Sequence, residues 1–219
     1  MRVVIAGGHG KIALRLERLL AARGDEVIGL VRNPDHVADV TDTGASAEVL
    51  DLESGSSDDL VTALEGADAV VFAAGAGPGS GAERKDTVDR AAAVLLADAA
   101  VAAGVPRYIL ISSPGVDTPP APGTDEVWAA YLVAKKAAEV EVAQRSIALT
   151  VLRPGPLTDD EGTGRVALAP PGLDYDPVPR QDVAAVLAAL LTDQRSDGLV
   201  LDLMAGDTPI DDAVDGALS

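Results

Sequence analysis

Tyr131 and Lys135 stand four residues apart in EVWAAYLVAKKAAEVEV, a stretch with the composition of a long helix. Positions i and i+4 share one helix face, which sets a phenol beside an ammonium. A phenol titrates near pH ~10, too high for easy proton transfer at neutral pH. A neighbouring positive charge favours the phenolate and lowers that value. Such a pair suits acid–base work beside a carbonyl group, although Tyr and Lys at this spacing also occur as plain surface neighbours. Ser112 and Ser113 follow the run Arg107 to Ile111. A hydroxyl at that strand end could hydrogen-bond a substrate carbonyl, or it could cap the next turn.

A second constellation opens the chain as MRVVIAGGHGKIA. The apolar run through Val3, Val4 and Ile5 suits a strand buried on both faces of a parallel sheet. Gly7, Gly8, His9 and Gly10 come next, and Ile12, Leu14, Leu16, Leu19 and Leu20 then recur at helical spacing. Strand, glycine turn and helix are the context that gives the G-x-x-G-x-x-A spacing of Gly7, Gly10 and Ala13 its meaning. Gly7 is expected to make the tight turn, Gly10 to admit a pyrophosphate and Ala13 to keep helix and strand close. The amides of Lys11 and Ile12 would then face the phosphates from a helix N-terminus. His9 could touch a phosphate or simply face solvent. A strand-to-helix turn with no ligand is the alternative.

The elements that must position these groups alternate. Expected strands are 2–6, 26–31, 47–50, 68–72, 107–111 and 147–152. Helices are expected from Ile12 up to Arg23, after Pro34, over 58–64 with Ser57 as cap, over 83–103 and over 126–145. Six alternations with right-handed crossovers predict an α/β fold with a doubly wound parallel sheet, whose ligand lies at the carboxyl ends of the strands. The remaining chain is expected to add a strand at 165–169, a helix over 181–191 capped near Asp182, a strand at 199–203 and a terminal helix. We expect a single domain over 1–219, with about 156–219 forming a small substrate-side cap. Pro114 to Asp125 and Asp159 to Pro179 are expected to be mobile cleft walls, poor in anchors.

Composition narrows the function. The chain of 219 residues carries a net charge of −18 and only 2% aromatic residues. Both disfavour nucleic acid, the first by repulsion and the second by the lack of stacking platforms. The same charge disfavours anionic membranes. Cysteine is absent, and no apolar stretch approaches the ~20 residues of a span. The expected compartment is the cytoplasm. Histidine and carboxylate spacing suggests no metal site.

Several stretches together resemble the short-chain dehydrogenase/reductase superfamily. The likeness is greatest to its small atypical NAD(P)H-binding, NmrA-like members, a group that includes biliverdin IX-beta reductase and flavin reductase. VVIAGGHGKIA resembles the nucleotide turn, LVRNP the end of the second strand and VLDL the adenine-side Asp-Leu. VVFAAGAG resembles the loop flanking the cofactor. YILISSPG, YLVAKKAAE and LRPGPLTDDEGTG resemble the active-site strand, helix and nicotinamide-side loop. The resemblance implies a Rossmann fold and a nicotinamide dinucleotide held by Gly7, Gly8, His9, Gly10, Lys11 and Ile12. Asp51 and Leu52 would contact the adenine. Ala73, Ala74 and Gly75 would meet the ribose and phosphate, and Pro154, Gly155 and Leu157 the carboxamide. It makes Tyr131 the proton donor, Lys135 the group that lowers its pKa and holds the nicotinamide ribose, and Ser113, before Ser112, the residue that polarises the carbonyl. The interval from Ser113 to Tyr131 is longer than in the compact dehydrogenases, so Pro114 to Asp125 reads as an insertion.

NADPH is expected over NADH. No Asp or Glu ends the second strand to bind a ribose 2′-hydroxyl, and Arg32 offers a planar charged fork there, with Lys11 as a second cation for the same anion. The expected activity is reduction of a small carbonyl compound by a monomer or homodimer. An NADP(H) sensor, a flavin reductase and an epimerase remain as alternatives.

Overall fold

The structure, a computed structural model, describes residues 1–77 and 79–219. Its strands are β1 (Arg2–Ala6), β2 (Glu26–Val31), β3 (Ser46–Val49), β4 (Ala69–Phe72), β5 (Arg107–Ile111), β6 (Ala148–Pro154), β7 (Leu157–Thr158), β8 (Arg165–Ala169), β9 (Val178–Pro179), β10 (Val200–Ala205) and β11 (Thr208–Pro209). Nine of them form one sheet in the order β3-β2-β1-β4-β5-β6-β10-β8-β11. Pairing is parallel from β3 across to β10, and β8 runs antiparallel to both β10 and β11. The separate β7–β9 pair stands beside it.

The helices are α1 (Ala13–Arg23), α2 (Val37–Thr41), α3 (Ser57–Leu64), α4 (Ala82–Arg84), α5 (Ala93–Ala102), α6 (Glu126–Val142), α7 (Arg180–Leu190) and α8 (Ile210–Ala217). Alternate residues of each strand enter opposite cores, as strand geometry requires. Val3 and Ile5 pack with Leu16, Leu20, Val183, Leu187 and Val214 from α1, α7 and α8. Val4 and Ala6 pack with Leu60, Leu64, Leu96 and Val142 from α3, α5 and α6. This two-sided burial is why the strands read as continuous apolar runs.

Local details depart from expectation. Ser56, not Ser57, caps α3, its Oγ accepting the Asp59 amide at 3.2 Å. The long helix expected over 83–103 contains a π-helical stretch, Lys85–Ala92, between α4 and α5. Asp182 does not cap α7, which begins after Pro179. Its carboxylate instead accepts the amides of Thr163 and Gly164 at 2.9 and 3.0 Å and ties down the preceding loop. The segment after Gly155 divides: β8, β10 and β11 extend the sheet, α7 and α8 pack on the α1 side, and only parts of it border the cleft described below. Among the described residues no helix is long and apolar enough to cross a membrane.

Candidate active site

The turn after β1 has the geometry its glycines allow. Gly7 adopts φ 80°, the left-handed region open to glycine. A side chain there would also strike the Ala74 backbone, 2.7 Å from where its Cβ would stand. Gly10 N donates to Gly7 O at 2.8 Å and Gly10 O accepts from Leu14 N at 2.9 Å. Among the described residues no side chain caps α1, and its first turn carries no acid. Leu14 N and Arg15 N are taken up by Gly10 O and Ile12 O, and the amides of Lys11, Ile12 and Ala13 remain available to an anion, with the helix dipole in favour.

The cations expected to share one phosphate do not converge. Arg32 donates to Glu53 Oε2 at 3.1 Å, while Lys11 is paired with Asp159. Glu53 also takes Arg84 at 2.6 Å and the Thr87 hydroxyl at 2.9 Å. Arg84 above all holds its carboxyl below the usual range. A carboxylate absent from the end of β2 is thus supplied from beyond β3. Asp159 gathers Arg180 at 2.8 Å and Arg15 at 3.9 Å as well as Lys11. The His9 ring bonds Asp39 at 2.7 Å and stacks on His36 at 3.6 Å between centroids.

A cleft of about 850 Å³ opens at the carboxyl ends of β4, β5 and β6. Ile12, Ala73, Ala74, Gly75, Pro154, Gly155 and Leu157 line it, as do Ser112, Ser113, Tyr131 and Lys135. Gly7, Gly8 and Gly10 form the turn behind it rather than its lining. Asp51 lies elsewhere, on a second cavity of about 360 Å³, with its carboxylate bound to Glu53 N and the Ser54 hydroxyl. Leu52 packs beside it on the α3 side of the sheet.

Within the cleft, Lys135 is buried and fixed. Its Nζ donates to Ile111 O at 3.0 Å and meets Asp89 Oδ1 at 3.3 Å. Asp89, also buried, accepts the Ala76 amide at 3.3 Å through Oδ2. Lys135 Nζ lies 5.8 Å from the centre of the Tyr131 ring. The two serines differ. Ser113 Oγ donates to Pro114 O at 3.3 Å, whereas the buried Ser112 Oγ has no hydrogen-bond partner among the described residues. A buried hydroxyl is rarely left so, which makes Ser112 the better-placed donor to a ligand.

Asp89, Lys85, Trp128 and Tyr175 also line the cleft. Asp89 had a signal in the sequence: it falls on the buried stripe Val88, Ala92, Ala93, Leu96, where an acid needs a partner. Trp128 stacks on Tyr131 at 5.1 Å. Tyr175 reaches across to Gly115, whose missing side chain leaves room for its hydroxyl.

The walls are better anchored than expected. Asp117 in the loop 114–125 accepts Arg153 at 2.5 Å and Lys136 at 2.5 Å, and its carboxyl is pulled down to about 2, first by Arg153 and then by Lys136. Arg153 is fixed in turn by Glu139 at 2.6 Å. Val116 and Val178 are buried, and Gly172 N donates to Asp202 at 2.8 Å.

Residues 7–194 match the family described as NAD(P)H-binding. The chain is 33% identical over 215 residues to the uncharacterised sugar epimerase YhfK of Bacillus subtilis, covering 98% of this chain and 99% of that protein. A Bacillus halodurans structure provisionally described as an NAD-dependent epimerase/dehydratase superposes with a TM-score of 0.91 at 36% identity, covering 99% of both chains. The oxidoreductase ylbE of Lactococcus lactis gives 0.86 at 26% identity, over 100% of this chain and 97% of that one. With its nucleotide turn, doubly wound sheet and these relatives, the chain belongs to the NAD(P)H-binding family of oxidoreductase- and epimerase-like Rossmann proteins.

Proposed function

We propose that this protein is an NADPH-dependent reductase of a small carbonyl compound. The observation that carries the reading is the one cleft that Tyr131, Lys135 and the unpartnered Ser112 hydroxyl all line. The site fits a nicotinamide dinucleotide: the α1 N-terminus is uncapped, and Ala73, Ala74 and Gly75 leave the neighbouring floor open. Gly7, Gly8, Gly10, Lys11 and Ile12 would hold its pyrophosphate, and Pro154, Gly155 and Leu157 its carboxamide. When bound, the reduced nicotinamide supplies a hydride to the carbonyl carbon. Tyr131 gives its phenolic proton to the carbonyl oxygen. Lys135 steadies the phenolate left behind and holds the nicotinamide ribose. Ser112, with Ser113 beside it, donates a hydrogen bond to the same oxygen. Arg32 and Arg84 converge on Glu53 at the adenosine end, where Asp51 also lies near Arg84. The Arg32 side chain is more than half exposed, and its guanidinium can turn to a 2′-phosphate. The preference for NADPH rests on Arg32 alone and not on its pairing with Lys11.

Tyr131→Phe tests the reading. Carbonyl turnover at saturating NADPH is expected to fall by ~10²–10⁴-fold, with NADPH affinity little changed. A ratio of wild-type to variant rates near one removes the proton donor and leaves a flavin reductase or a sensor.

A further inference from the structure

The charges bordering the cleft are Lys85, Asp89, Asp125, Lys135 and Arg180. Four of them are used within the protein. Asp89 and Lys135 satisfy each other, Arg180 is held by Asp159, and Asp125 caps α6 by accepting the Trp128 amide at 2.9 Å. Lys85 differs. Its Nζ donates to Gly77 O at 3.2 Å and, among the described residues, meets no carboxylate within salt-bridge distance. An ammonium left unpaired in a cleft is notable in a chain of net charge −18, where most other cations have an acidic neighbour.

Lys85 also opens the π-helical stretch Lys85–Ala92. Such turns are rare and concentrate at functional sites. Here the stretch brings both Lys85 and Asp89 to the cleft. Lys85 Nζ lies 5.6 Å from the Tyr131 ring centre, and Lys135 Nζ lies 5.8 Å from it. Two ammoniums therefore flank the phenol, one neutralised and one not. Trp128 stacks on the same ring, and Tyr175 adds a further aromatic surface to the cleft.

We propose that the substrate is an oxo acid with a flat apolar substituent, and that Lys85 selects it by binding its carboxylate. This rests on the reductase reading for the carbonyl group, but the carboxylate is assigned by Lys85 itself. The two cations share one aromatic ring, so the carboxylate stands only a few bonds from the carbonyl that Tyr131 serves. The ring of the substituent lies against Trp128 and Tyr175.

The test reads binding without turnover. Trp128 is the chain's single tryptophan and lies in the cleft, so its emission reports a ligand directly. Phenylglyoxylate and its methyl ester, identical but for the charge, are titrated into protein saturated with NADP⁺, where no hydride is available. The acid is expected to bind at least about tenfold tighter than the ester, the size of one charge-assisted hydrogen bond. Lys85→Met should abolish that preference and Lys85→Arg should retain it, with ester affinity and melting temperature as controls for folding. Equal affinity of acid and ester for the wild type overturns the proposal. So does a preference that survives Lys85→Met, or binding of neither probe. Failure of the Tyr131→Phe experiment would leave this result standing, because the emission signal does not depend on proton transfer.

Discussion

Lys135 Nζ and Asp89 Oδ1 lie 3.3 Å apart with their side chains 5% and 2% exposed. An ion pair so enclosed is costly to break from one side only, because the survivor is left charged and dry. Asp89→Ala is expected to destabilise the fold by ~3–5 kcal/mol, and Lys135→Met alone by a similar amount. Joining Asp89→Leu to Lys135→Met should recover much of that loss while leaving no carbonyl turnover. Chemical denaturation of the three variants checks this. A double variant no more stable than either single one would mean the pair is not the link.

The cofactor preference has its own lever at Glu53. Arg32→Ala is expected to weaken NADPH far more than NADH, since only the former carries a 2′-phosphate. Glu53→Gln removes the carboxylate that Arg32 and Arg84 share and should shift the preference further toward NADPH. Parallel titrations of both cofactors measure the two ratios. Equal losses for NADPH and NADH in Arg32→Ala would sink the assignment.

Glu17 gives a pH signature. It is wholly buried beneath Gly8 and Gly29, and its Oε1 has no hydrogen-bond partner among the described residues. Burial pushes its pKa up to about 8, against weaker opposing effects of the Thr43 hydroxyl and Arg18. In the native state the acid is therefore protonated at neutral pH, whereas in the unfolded chain it is ionised. A raised folded pKa means stability fully present below the unfolded value near 4.5 and lost as pH rises through about 8. Thermal unfolding of wild type and Glu17→Gln from pH 4 to 9 should show the wild type losing ground steadily to the variant. A constant difference across that range would refute it.

Asp117 works in the opposite sense. Its folded pKa of about 2 lies below the ordinary 3.8, so its contribution is present above pH ~4 and disappears as pH falls through 2. The side chain is half exposed, which keeps the contribution modest. Asp117→Asn should speed amide exchange in the loop 114–125 by up to ~10-fold at neutral pH and leave β4 and β5 unaffected. Unchanged exchange in that loop would show that Val116 alone holds it.

The order of elements was legible from residue 1 to about 154, because each buried parallel strand declares itself as an apolar run and each crossover as a helical period. What the strands do after that was not. The runs at 165–169 and 200–205 mark β8 and β10, but periodicity carries no information on which neighbour a strand takes or in which direction. Tyr131 and Lys135 were legible because their spacing puts them on one helix face, and the serines because they follow the apolar run of the fifth strand. Lys85, Asp89 and Tyr175 arrive from two other places in the sequence, the first two through a π-helical stretch that no helical period foretells. Glu53 was invisible for the same reason: its role follows from Arg84, thirty-one residues away.

β6 and β10 are hydrogen-bonded neighbours, yet the chain between them makes a long excursion. Its exit and its return are pinned to each other's strands, Gly155 N to Leu203 O and Gly198 N to Leu149 O. Pro156, Leu157, Tyr175 and Arg180 all belong to that excursion. Part of the cleft lining can thus be rewritten as one contiguous cassette, with the glycine turn and the Tyr131–Lys135 helix left unchanged.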